Sequence, residues 1–167
     1  WDQEFKYGFG TRFFITKEPR RMIHAVYKHD VEQIGLSSNA YNNTGVVSSF
    51  LRRNPFNKLI FNTEMRFSYS REWFHGLTTS FLFRNARFQP LGIIPFNQLD
   101  PQGNTFPKEN IITSELSFKT RFAFDEKFIS GEFDRVSTGT KFPIIEFNYG
   151  YGFPNLLESE YEYHRLK

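Results

Sequence analysis

The sequence contains no cysteine. Disulfide staples, thiolate nucleophiles and cysteine metal sites are therefore excluded, although this does not fix a cellular compartment. No stretch of about 18 consecutive apolar residues occurs, so no membrane-spanning helix is expected. Net charge is also scarce: 21 Lys and Arg against 18 Asp and Glu give +3 at pH 7, with an isoelectric point near 9.1. The basic residues Arg20, Arg21, Arg52, Arg53 and Lys58 form no continuous stripe, which argues against a nucleic-acid partner. Arg52 and Arg53 read as a solvated loop pair, the alternative being a pair that meets anionic lipid headgroups at a membrane rim. Neither a Gly-x-Ser-x-Gly elbow nor a His-Glu-x-x-His pair is present. With no spacing that links a nucleophile to a base, neither an enzyme nor a cofactor is expected.

Aromatic residues are abundant instead. The chain holds 22 Phe and 8 Tyr among 167 residues, yet its mean hydropathy is only −0.52. Alternation reconciles the two. From Ile112 to Phe124 one set comprises Ile112, Ser114, Leu116, Phe118, Thr120, Phe122 and Phe124, and the other Thr113, Glu115, Ser117, Lys119, Arg121 and Ala123. Successive strand side chains point to opposite faces, so this segment has an apolar wall and a charged wall. That pattern suits a sheet with hydrocarbon on one side and water or a polar filling on the other.

The pattern recurs. Strands are expected over residues 4–16, 22–34, 58–70, 76–88 and 142–153, with a last one from Ser159 and a poorly alternating one over 129–137. The first sets Phe5, Tyr7, Phe9, Thr11, Phe13 and Ile15 against Lys6, Gly8, Gly10 and Arg12. The second sets Ile23, Ala25, Tyr27 and Val31 against His24, Lys28, Asp30 and Glu32. Long loops rich in turn formers are expected over 35–55 and 91–109, and short turns at Lys17 to Arg21, Ser70 to His75 and Asp125 to Lys127.

These features predict an all-β fold: an antiparallel transmembrane β-barrel, partial, with about 7–8 strands of a larger barrel, since the smallest single-chain barrels have about eight. Residues 1–167 then form part of one outer-membrane barrel domain and read as a piece of a longer protein: any signal peptide lies outside the chain, which opens without Met and closes while alternation is still running. Short periplasmic turns and long external loops place 35–55 and 91–109 outside the cell. Phe61, Phe67, Phe81, Phe118 and Phe122 are expected to face lipid. Glu64, Arg66, Arg84, Glu115, Lys119, Arg121 and Glu146 are expected to face the lumen, either setting selectivity or cross-bracing a filled interior. No metal site is expected: Glu160, Glu162 and His164 recur about 7 Å apart along one strand face, too far to share an ion. His29 and Asp30 point to opposite faces and form no dyad.

Glu132-Phe133-Asp134-Arg135-Val136-Ser137-Thr138-Gly139-Thr140-Lys141-Phe142-Pro143-Ile144-Ile145, with Asn148 to Gly152 and Ser159 to Leu166, resembles the C-terminal part of a Bacteroidota outer-membrane family. Members carry an N-terminal carboxypeptidase-regulatory-like domain and a C-terminal barrel of unknown function. The resemblance is sharpest over residues 114–167. It implies that residues 1–167 are part of the C-terminal barrel domain, with the N-terminal domain outside this chain, and that the barrel lies in the bacterial outer membrane; the expected partners are outer-membrane lipid and, in the docked alternative below, other outer-membrane proteins. The family is distantly similar to the outer-membrane assembly and two-partner secretion barrels. Their Arg-Gly-Phe or Arg-Gly-Tyr lumen motif is absent, and Ser130 to Arg135 does not match it, so an insertase role is not carried over. The expected function is a component of envelope transport, export or outer-membrane protein assembly. The alternative is an accessory barrel docked to another complex.

Overall fold

In the computed structural model, residues 5–33, 59–91, 95–100, 102–131 and 135–167 are described. They form eleven strands: β1 (Tyr7–Thr16), β2 (Arg21–Gln33), β3 (Leu59–Phe74), β4 (Leu77–Leu91), β5 (Phe96–Leu99), β6 (Thr105–Lys108), β7 (Ile111–Ala123), β8 (Lys127–Ser130), β9 (Arg135–Gly139), β10 (Ile144–Gly152) and β11 (Tyr163–Leu166). Seven build one antiparallel sheet in the order β1-β2-β3-β4-β7-β10-β11, while β5-β6 and β8-β9 are separate two-stranded hairpins. The protein is thus all-β and antiparallel. Among the described residues β1 and β11 do not pair, so the large sheet has two edges.

Register carries the alternation across the sheet. Phe13, Ile23, Tyr69, Phe81, Phe118, Tyr149 and Leu166 follow one another from strand to strand as partners. The residues one position away form the other face. Side-chain parity is kept except at the irregularities between Phe14 and Thr16 and between Glu72 and Phe74; one face is mainly aromatic, though it also carries Arg87, while the other is charged.

Burial is mixed. Ile60, Phe61, Ala86, Ile112 and Ala123 are enclosed, but the largest fully enclosed side chains are the polar Glu64, Glu126, Asn62, Ser114 and Ser159, whereas Phe9 (72% exposed), Phe13 (65%), Phe67 (48%) and Phe81 (47%) are open. Enclosed carboxylates and open phenylalanines together are uncommon in a globular domain.

Several boundaries differ from the sequence expectation. The β3–β4 reversal is not a loop over Ser70 to His75 but a two-residue turn, His75-Gly76. Gly76 has φ 94°, and a Cβ there would run into the Ala123 carbonyl, so glycine supplies both the left-handed backbone and the close approach. Residues 91–109 are not a plain loop. They contain β5-β6, whose tight connection is held by the Asp100 carboxylate accepting from the Asn104 backbone N–H at 2.7 Å and side-chain amide at 3.0 Å. Pro107 is tolerated because a two-stranded hairpin leaves one side of each strand free of ladder bonds.

The single strand expected over 129–137 is instead the β8-β9 hairpin, which explains its poor alternation. Its insertion also makes the β7–β10 connection long, correcting the short turn expected near Asp125. The last strand starts at Tyr163 rather than Ser159 because residues 153–162 fold back on the sheet: Ser114 donates to the Leu156 carbonyl at 2.7 Å and Arg87 pairs with Glu158 at 2.6 Å. The loop expected over 35–55 lies outside the described residues.

Candidate functional site

The charged face is the most organised polar region. Arg66 on β3 lies directly opposite Arg84 on β4, a juxtaposition that is unfavourable unless neutralised. Glu64, two residues along the same face and 1% exposed, supplies the countercharge. Arg66 binds it through Nε and a terminal nitrogen at 2.5 and 2.9 Å, Arg84 donates to the same carboxylate, and Lys28 from β2 approaches to 3.4 Å. Three strands are thereby tied through one buried carboxylate.

Glu115 centres a second cluster. It accepts from the Tyr163 hydroxyl at 3.0 Å, and Ser117 and Arg165 also donate to it. Glycines make the room: a Cβ on Gly150 would lie 2.9 Å from Glu115 Oε1, and one on Gly152 would enter the Tyr163 ring. Glu146 on β10 forms the third cluster with Lys119 (3.0 Å) and Arg121 (3.4 Å) of β7.

All seven charged residues singled out from the sequence share this face; Glu64 pairs with Arg66 of its own strand, but the other pairs among them run across strands. Glu115 does not pair with Lys119 or Arg121; register gives those two to Glu146. Sequence reasoning missed Lys28, Tyr163 and Arg165 as partners. Only the strand register, and for Tyr163 the later start of β11, identifies them.

Where the charged face meets the short turns, Glu126 follows β7 and is fully enclosed. Arg121 donates to both of its oxygens at 2.6 and 2.8 Å, and Ser137 of β9 donates at 2.6 Å. The bidentate guanidinium holds the Glu126 carboxyl down at about 2, against the opposing effect of burial. Arg135 of β9 clamps Glu72, the last charged-face residue of β3, at 2.7 and 3.2 Å. A cavity of about 590 Å³ lies beside these contacts, lined by Glu18, Glu72, His75, Glu126, Phe128 and Arg135 among others.

The opposite face carries the five phenylalanines chosen from the sequence. Phe81 and Phe118 meet with ring centroids 5.1 Å apart. Phe61 lies on this face too but is enclosed, 4% exposed, and stacked on His29 at 5.0 Å. Trp73, at the short-turn end, lies under the Arg71 guanidinium at 3.8 Å and donates its indole N–H to Thr79 at 2.9 Å.

Glu160, Glu162 and His164 are dispersed. Glu160 pairs with Lys108, Glu162 accepts from Tyr151 at 2.8 Å, and His164 Nδ1 lies 2.8 Å from the Tyr149 hydroxyl. Among the described residues no three His, Asp or Glu side chains gather with metal-holding geometry.

Residues 2–167 match the model of the C-terminal domain of a family of unknown function, DUF5686. The chain belongs to that family. No curated protein and no solved structure matches it.

Proposed function

We propose that this DUF5686 domain is part of a transmembrane β-barrel in the bacterial outer membrane, aromatic face to lipid and charged face to the interior. It would serve as a component of envelope transport, export or outer-membrane protein assembly. The combination of enclosed carboxylates with exposed aromatics carries the reading: enclosed carboxylates beneath an open aromatic face are stable where the outside is hydrocarbon, whereas in water so large an apolar patch would drive association. Strand length agrees. The 13 residues of β7 extend ~43 Å at ~3.3 Å each, or ~33 Å along the axis of a barrel tilted ~40°, enough for an apolar band of ~25 Å. Trp73, apolar in body and hydrogen-bonded at its tip, suits an interfacial girdle. The likeness of residues 114–167 to Bacteroidota outer-membrane proteins supports the compartment. In this reading Phe67, Phe81, Phe118 and Phe122 face lipid, and Glu64, Arg66, Arg84, Glu115, Lys119, Arg121 and Glu146 face inward.

The pairing of the inward charges favours a second reading, an accessory barrel whose interior is filled and which docks to another outer-membrane complex. Arg66→Leu separates the two. Purified protein is inserted into lipid vesicles, and both conductance and denaturant unfolding are measured. A changed conductance at unchanged stability supports transport, and lost stability without conductance supports the accessory barrel. Protein that never becomes resistant to alkaline extraction from the vesicles would refute both.

A further inference from the structure

Building on that barrel reading, we propose that the β8-β9 hairpin is a gate across the short-turn mouth of the interior, latched by the Glu72–Arg135 ion pair and the Glu126–Ser137 hydrogen bond. The hairpin interrupts the path from β7 to β10 without joining the seven-stranded sheet. Its attachment to the sheet is one-sided: Arg135 reaches Glu72 and Ser137 reaches Glu126, and both acceptors stand at the end of the charged face. Thr140 anchors the base by donating to the Phe124 carbonyl at 2.6 Å.

The interface it makes suits release. Its apolar component among the described residues is Phe128, with the Arg135 guanidinium 3.9 Å over the ring and His75 edge-on at 5.5 Å. Ile129 and Val136, cross-strand partners, point away and are exposed. Apolar burial that would make docking permanent is thus small, and opening would return both members of the Glu72–Arg135 pair to water instead of leaving one charge buried alone. A segment with few buried apolar contacts opens well before the whole fold does. The 590 Å³ cavity beside the latch leaves the hairpin unpacked along part of its inner side. Swinging outward, it would uncover Arg121, Glu126 and Glu72 at the mouth.

The absence of cysteine permits a clean test. The full chain with Glu72→Cys and Arg135→Cys is inserted in lipid vesicles, and ion flux is recorded before and after a short bismaleimide joins the two thiols. Alongside it stand Glu72→Gln, Arg135→Gln and the exchange Glu72→Arg with Arg135→Glu. Breaking the latch should raise flux several-fold, and cross-linking should return it to the unmodified level, as should the charge exchange. Extraction resistance is read on every sample. Inserted protein whose flux ignores both latch removal and cross-linking overturns the gate alone. Wild-type protein that does not insert overturns the barrel reading, and the gate with it.

Discussion

Phe118→Arg distinguishes a lipid-facing aromatic surface from a wet one. Phe118 lies one residue from the middle of β7, on the aromatic face, with Phe81 opposite on β4 and Tyr149 opposite on β10. Near the bilayer midplane an arginine on the outside of a barrel costs about 2 to 4 kcal/mol. Loss of the ring contact with Phe81, centroids 5.1 Å apart, adds about 0.5 to 1.5 kcal/mol. Together about 2.5 to 5.5 kcal/mol is expected. On a water-exposed sheet the charge would be nearly free and only the ring contact would be lost, about 1 kcal/mol. Reversible denaturant unfolding from lipid vesicles, followed by tryptophan fluorescence, measures the difference. Leu99→Arg, in the exposed β5-β6 hairpin outside the large sheet, is the control and should change stability by less than about 0.5 kcal/mol. If Phe118→Arg costs no more than about 1 kcal/mol, the ring contact alone, the aromatic face does not meet hydrocarbon.

Gly152→Val forces a side chain into the Tyr163 ring and should cost about 1 to 3 kcal/mol by overpacking; a neutral result in the same unfolding assay would mean Tyr163 does not lie over Gly152. Acid should loosen the β8-β9 hairpin through Glu126, which faces Arg121, Arg135 and Ser137 and whose backbone carbonyl accepts from His75. Because its folded carboxyl is held at about 2, below the ordinary 4.5, its contribution is complete above pH 4.5 and is lost as pH falls from there toward 2. Hydrogen exchange at hairpin amides should therefore accelerate across that window, and Glu126→Gln should abolish the acid dependence attributable to this group; an identical profile in the variant would refute the assignment.

Which face each long-strand side chain occupies was legible in the sequence because a period of two is unambiguous over a dozen residues. Lys28, Glu64, Glu115, Lys119, Arg121 and Glu146 share a face for that reason alone. Their cross-strand partners were not legible. A carboxylate chooses among cations on neighbouring strands, and register depends on turn geometry: the two-residue His75-Gly76 turn, and whatever is inserted between β7 and β10. Four-residue strands such as Phe96–Leu99 and Lys127–Ser130 are too short for alternation to stand out, and Pro107 and Gly103 point to a loop. The hairpins were hidden for that reason, and with them Arg135, Ser137 and the enclosure of Glu126.

Loop length is a weaker guide to orientation than it first looked. At one end of the sheet β1–β2 and β3–β4 are joined by tight turns, but the β7–β10 connection at that same end runs from Phe124 to Pro143 and folds into a hairpin. The end is better described by what its residues do than by their number, since the inserted hairpin turns toward the charged face and bonds to it. An external loop serving as a ligand surface would gain nothing from such attachment. The two free edges press a separate requirement. In lipid, unpaired strand N–H and C=O groups cost several kcal/mol each, so in the proposed barrel β1 and β11 must each take a partner. The seven strands of the sheet among the described residues fall one short of the smallest barrels, of about eight. The charged face is then one sector of a larger interior, and the three carboxylate clusters brace that sector from within.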